Sequence, residues 1–312
     1  MAQQIFRRLI NFVFAIGGLA LFAAAASAQS YPIGNSHLSD MKPGSVLFYN
    51  KYTSNPVSPQ MGDTQVNITN TNQSKDASLH LFLVDGSTCS VADSFIGLTP
   101  NQTASFLLSD FDPGVTGYIV AVAVDDGPTQ FNFLIGDEYI RENDGRQANL
   151  AAVSIAKRSS GSVKPDENGS ATLDFNGTDY EQLPASVAVS NFNSQVTDLT
   201  ELNIYTPSAN LIIGATLTTS SIFTLIYDDA ERVLSTTTRI VCYGTIKLSS
   251  LRVAGGSLNT IIPAGRTGWI RLNGGGRPLL GATIQRGPVF MGGHNLHALT
   301  LLPTYSITVP SF

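Results

Sequence analysis

The sequence predicts an all-β protein built as two tandem antiparallel β-sandwich domains, Ig-like or jelly-roll-like, with one short helix near the linker. Three observations lead there. Short apolar or alternating runs recur along the chain, punctuated by Gly, Asn and Pro. Only one segment has helical composition. A set of sequence matches recurs in the same order in both halves. At 312 residues the chain suits two domains of ordinary size.

Residues 1–28 read as a signal peptide: Arg7 and Arg8 make a basic start, Leu9 to Ala26 is apolar apart from Asn11, and Ala26-Ser27-Ala28 supplies small residues for cleavage. The alternative is a retained anchor helix, which the run is barely long enough to form. The first domain is expected over 29–157. Gln29 to Asp40 is an irregular lead-in, Gly44 to Thr53 a strand, and NPVSPQ a loop. Gln65 to Thr71 and Ser78 to Val84 are strands on either side of a polar turn. DGSTCSVAD reads as a loop and Thr103 to Leu108 as a short strand or a turn of helix.

The stretch Tyr118 to Ile140 carries an apolar, β-branched run, the breaker Asp125-Asp126-Gly127, and a return with Phe131, Phe133 and Ile135 alternating. The pattern predicts a hairpin. Arg146 to Lys157 is Ala-rich without alternation and is the predicted helix. The polar run that follows makes 158–170 the linker.

In the second domain, 171–312, strands are predicted at Ala171 to Phe175, Ser186 to Ser190, Leu202 to Thr206, Leu211 to Thr216 and Ile222 to Tyr227. Others follow at Thr237 to Leu248, Gly268 to Leu272, Leu279 to Gln285 and Ala298 to Val309.

The repeat is read from five matches. VNITNTNQS from Val66 aligns with VAVSNFNSQ from Val187, which sets SLHLFLV against ELNIYTP, Leu79 against Leu202 and Phe82 against Tyr205. LLSDF resembles KLSSL, Thr116-Gly117-Tyr118-Ile119 matches Thr267-Gly268-Trp269-Ile270, and FLIGDEYI matches PLLGATIQ with Gly136 opposite Gly281. The alternative is one large sandwich.

Composition excludes some functions. Net charge is −5 and no basic stripe exists, which argues against nucleic acid and against docking on an anionic membrane. The C-terminal residues have the wrong alternation for an outer-membrane barrel strand, and no membrane span is expected after signal cleavage. Export implies an oxidising compartment, where Cys89 and Cys242 either form one bridge joining the halves or remain two buried thiols.

ITNTN, then LHLFLVDG, then TPNQTASFLLSDFDPGVTGYIVAVAV make an ordered set. It resembles a broad group of secreted bacterial β-sandwich modules, over most of the first half and more loosely over the second. The resemblance implies a fold and no functional residues.

No G-x-S-x-G elbow, H-E-x-x-H helix or phosphate-cradling glycine loop is present. His294 and His297 stand three apart in a segment read as a strand, where such residues face opposite sides. Asp110 and Asp112 enter the Tyr118 hairpin from the end at which Asp137 and Glu138 leave it. These four are the candidate metal set, suited to Ca²⁺ by clustered carboxylates at a loop-rich end. The alternative is a solvated acidic rim. No other cofactor is implied.

The reading is therefore a non-enzymatic, exported structural or adhesive protein, secreted to the cell surface, the extracellular space or the periplasm. Its expected partner is itself, another surface protein or a glycan. The alternative is a carbohydrate-binding or carbohydrate-cleaving accessory protein, favoured by coplanar exposed aromatics on one sheet or by two carboxylates facing each other across a cleft.

Overall fold

The computed structural model describes residues 39–55, 57, 62–193, 199–212, 217 and 219–310. The expected signal peptide lies outside these residues, as do most of the lead-in, most of the NPVSPQ loop and 213–216 of the strand expected from Leu211. Ser36–Phe312 make one compact unit.

The fold is all-β, with several antiparallel sheets. The longest helix among the described residues is α1, Leu258–Ile261. The first half contributes β1 (Val46–Thr53), β2 (Thr64–Asn70), β3 (Ala77–Asp85), β4 (Val91–Leu98), β5 (Thr103–Leu107), β6 (Thr116–Val124), β7 (Leu134–Arg141), β8 (Gln147–Ala151) and β9 (Val153–Ile155). These form a five-stranded sheet, β4-β3-β6-β1-β9, and a four-stranded sheet, β5-β2-β7-β8. Leu47, Val66, Ile68, Leu81, Ile119 and Leu134 pack between them. Strict alternation in β2 buries every second residue, as a one-sided strand requires.

The rest of the chain supplies β10 (Ser170–Asp174), β11 (Pro184–Asn193), β12 (Thr200–Tyr205), β13 (Thr219–Asp228), β14 (Val233–Val241), β15 (Tyr243–Lys247), β16 (Arg252–Val253) and β17 (Gly256–Ser257). It continues with β18 (Thr267–Asn273), β19 (Leu280–Arg286), β20 (Met291–Asn295), β21 (His297–Leu301) and β22 (Ser306–Pro310). A nine-stranded sheet runs β20-β19-β12-β15-β14-β13-β18-β11-β21. Its β14 and β15 are joined through a single residue pair, Val241 with Tyr243. Cutting there leaves β14-β13-β18-β11-β21 and β15-β12-β19-β20, the same two strand orders as in the first half.

The correspondence extends to individual residues. β1 slips register against β6 between Tyr49 and Tyr52, and β11 slips against β18 between Val189 and Phe192. Ile68 lies opposite Gly136, and Ile204 lies opposite Gly281. A Cβ at Gly136 would overlap the Asn67 carbonyl oxygen and the Tyr49 hydroxyl. One at Gly281 would overlap the Asn203 carbonyl, so glycine is required at both. Asp85 and Asp228 each accept backbone N–H groups of the turn that follows, in Asx-turn fashion.

Several expectations are corrected. β6 and β7 are not a hairpin, since they belong to different sheets; β18 and β19 are likewise not neighbours. The Asp125-Asp126-Gly127 turn instead carries the chain from one sheet to the other. The helix expected over Arg146 to Lys157 is β8 and β9: Ala148, Leu150, Val153 and Ile155 are buried, and tertiary packing overrides alanine's helix preference. The DGSTCSVAD loop ends inside β4, an edge strand. Thr237 to Leu248 breaks at Cys242, which has φ 56. In the repeat, Leu79 is on β3, which corresponds to β13, so the pairing of Leu79 with Leu202 is one strand out of step. The three later matches agree with the topology.

The outer face of the five-stranded sheet is also buried, which explains why β1 and β6 read as continuous apolar runs. Phe82, Val84, Tyr118 and Val120 pack there against β10 and β22 and against Tyr205, Tyr243 and Leu280 of the second half. Residues 158–170 are held along the first half by Val163 N–H to Pro128 and Gln130 N–H to Gly161.

Candidate functional site

The structure does not bring the four candidate metal ligands together. Asp110 ends the 3₁₀ turn after β5. Asp112 accepts a 2.7 Å hydrogen bond from the Tyr52 hydroxyl, and burial pushes its carboxyl up despite that bond. Asp137 and Glu138 are successive strand residues and so face opposite ways. Asp137 accepts from the Asn149 amide on the outer face. Glu138 is fully buried on the inner face, where Oε1 accepts the Lys51 N–H at 3.0 Å. Among the described residues, no three of His, Cys, Asp and Glu are grouped to hold a metal ion. The His294 and His297 rings are 6.2 Å apart, and His294 sits against the Thr283 hydroxyl. Cys89 and Cys242 are joined as a disulfide with a Cα separation of 5.4 Å.

A polar seam runs where the halves meet. The Asn50 amide donates to Asn295 at 2.7 Å, the Tyr205 hydroxyl donates to the Asn50 side chain at 2.9 Å, and the Tyr243 hydroxyl donates to the Asn50 carbonyl at 3.0 Å. Lys51 pairs with Glu201, which also meets Arg286 at 3.1 Å, and Arg286 reaches Glu142 at 2.5 Å. Burial pushes the Glu201 carboxyl up, but Lys51 and Arg286 outweigh it and hold the group below its usual range. Glu138, close by, has no such pairing at Oε2, and burial drives its carboxyl well up. The Tyr118 and Tyr205 rings stack at 4.0 Å across the same junction. Such a chain of paired groups fixes how the halves meet.

The outer face of the second half's five strands is different. The positions matching Phe82, Val84, Tyr118 and Val120 are Leu225, Tyr227, Trp269 and Arg271, by register of β3 with β6 and β13 with β18. The first set is buried, whereas the second is only partly covered. Phe223 is 46% exposed, Val233 54% and Val241 39% on the same face. Tyr227 and Trp269 lie opposite each other, with rings 4.4 Å apart and 6° from parallel. Outward positions of β13, β14 and β18 include Arg239 and Arg271 and no carboxylate. Among the described residues, this face is a partly exposed aromatic and aliphatic patch.

Neither the seam nor the patch was found by motif reasoning. The patch had a signal in SSIFTLIYD, where both alternating sets, Ile222-Thr224-Ile226 and Phe223-Leu225-Tyr227, are largely apolar.

No protein-family model matches the chain, and no curated protein matches it. One solved structure, titled "Crystal Structure of Thermotoga maritima 1070", is similar over 39% of this chain and 100% of its own length, at 12% identity and a TM-score of 0.30.

Proposed function

We propose that the protein is an exported, non-enzymatic structural or adhesive module. It comprises two tandem Ig-like or jelly-roll-like sandwich units locked to each other, and it docks a macromolecular partner on the outer face of β13, β14 and β18. The single observation that carries this reading is the contrast between matching faces. Among the described residues, the face is buried in the first half, whereas in the second half Phe223 is exposed and Leu225, Tyr227 and Trp269 are only partly buried. The bridge between Cys89 and Cys242 supports an oxidising compartment, in keeping with the expected signal peptide. The buried charges along the seam pair with one another, Lys51 with Glu201 and Arg286 with Glu142, which is a structural use.

A glycan-binding reading draws on the same two rings. Tyr227 and Trp269 stack face to face, so each covers one face of the other and they do not form a flat sugar platform. The adhesive reading is therefore preferred.

The test is retention of fluorescently labelled protein on intact cells that export it. Saturable retention, lost in Trp269→Arg while the fold is kept, supports the reading. Absence of retention, or retention that Trp269→Arg leaves unchanged, refutes it.

A further inference from the structure

Where the halves meet, an amine, a carboxamide and a carboxylate are buried together. Lys51 stands in the register slip of β1 between Tyr49 and Tyr52 and is 6% exposed. Asn203 on β12 is fully buried. Lys51 Nζ lies 3.4 Å from Asn203 Oδ1 and donates to Glu201, two residues away on the same strand. We propose that Lys51 and Asn203 condense to an intramolecular amide, a second covalent tie between the two halves. This bond does not depend on the docking face.

The ion pair of Lys51 with Glu201 is the state from which the bond forms. An ammonium has no lone pair, so a proton must first leave Nζ, and Glu201 is the base already in contact with it. Nζ then attacks Asn203 Cγ, which stands one bond beyond Oδ1 and is reached by rotation of the lysine chain. Burial holds the two groups together and makes the attack effectively unimolecular. The Thr245 hydroxyl donates to Oδ1 at 3.3 Å, where negative charge develops during attack. Collapse breaks the Cγ–Nδ2 bond. Nζ gives up two protons in all, passed through Glu201 to Nδ2, which departs as ammonium. Glu201 ends as the carboxylate it was, and no oxidant or reductant is consumed.

The surroundings support this route. Burial raises the Glu201 carboxyl, yet Lys51, Arg286 and the Asn203 amide together hold it below its usual range, which sets one carboxylate near both reacting nitrogens. Asn203 Nδ2 is itself buried without a well-formed hydrogen bond, so its departure breaks none. Glu138, whose Oε1 accepts the Lys51 N–H, is driven well up by burial. A neutral acid there adds no second negative charge to hold Lys51 as the ammonium. The amide would join β1 to β12 across a sequence separation of 152, beside the 153 spanned by the disulfide. Reduction of the cysteines would then leave the halves still tied.

The test is the intact mass of the purified protein after reduction and denaturation, with a peptide map of the same sample. The chain should be lighter than its sequence mass by one ammonia, and the map should contain a branched peptide joining Lys51 to Asn203. Lys51→Arg keeps the charge opposite Glu201 but cannot form this amide, and it should show its full sequence mass, as should Asn203→Ala. Glu201→Gln should slow bond formation by about a hundredfold or more, so that fresh protein is largely unlinked. Wild type at full mass overturns the inference. So does a deficit that Lys51→Arg leaves in place, the result expected from cyclisation of an N-terminal glutamine. Loss of one water in place of ammonia, with Lys51 linked to Glu201, also overturns it. Should the variants fail to fold, the map of wild type decides: the branched peptide supports the bond, and recovery of the two linear peptides alone refutes it.

Discussion

Cys89→Ser combined with Cys242→Ser removes the covalent tie between the halves without leaving a free thiol. The bridge closes a loop across a sequence separation of 153. Chain-entropy treatment of a loop that long gives about 5 kcal/mol of stabilisation, acting mainly by restricting the unfolded chain. The two cysteines are 4% exposed and packed at the junction, so serine also introduces two buried hydroxyls, which adds to the loss. Guanidinium unfolding followed by tyrosine and tryptophan fluorescence measures the effect. With a slope of about 5 kcal/mol/M for a chain of this size, the midpoint should fall by about 1 M. Because the halves share the cluster of Phe82, Tyr118, Tyr205 and Leu280, the transition should remain single in the variant. A loss under about 1 kcal/mol, against the 2–5 typical of native bridges, would refute the reasoning. Two separated transitions would refute the shared core.

Other outcomes follow from the seam and the repeat. Lys51→Met leaves Glu201 buried with Arg286 alone and should cost about 3–5 kcal/mol, part of which Glu201→Met in the same chain should restore; a double-mutant cycle by denaturation measures the coupling. Burial raises the folded-state carboxyl of Glu138, so its contribution is fully present below the unfolded value near 4.3 and is lost as pH climbs through the raised one. Stability of Glu138→Gln should accordingly fall less than wild type between mildly acidic and alkaline pH, read from melting temperatures. Gly136→Ala and Gly281→Ala should each destabilise by about 1–3 kcal/mol, since both would push a Cβ into backbone; a neutral effect at either would break the equivalence of β7 with β19.

Much of the architecture was legible in the sequence because it is written in period-two patterns. Thr116-Gly117-Tyr118-Ile119 and Thr267-Gly268-Trp269-Ile270 identify equivalent strands because a glycine is needed where the backbone passes close to its neighbour, at the Val84 carbonyl in one copy and the Tyr227 carbonyl in the other. Pairing partners were not legible. β6 and β7 look like a hairpin because Asp125-Asp126-Gly127 is hairpin chemistry, yet β6 pairs with β1 and β3 and β7 with β2 and β8, in separate sheets. β8 and β9 were hidden by alanine, whose local preference lost to packing of Leu150 and Ile155. The acidic cluster failed for a simpler reason: Asp137 and Glu138 are neighbours in sequence and therefore opposites in a sheet. The seam groups, Lys51, Glu201 and Asn295, come from strands far apart in the chain, and no spacing rule connects them. The open face was half visible, since β13 is apolar on both sides, but only the fold tells which of two matching faces is covered.

Trp269 is the single tryptophan of the chain, so its fluorescence reports on the docking face alone. The most direct measurement is iodide quenching of that fluorescence in dilute protein and again with the partner surface saturated. The account predicts partial quenching in the dilute state, as befits a half-buried ring stacked on Tyr227, and a marked loss of that quenching on binding, in step with the fraction bound. Binding that saturates while the quenching of Trp269 stays constant would contradict it.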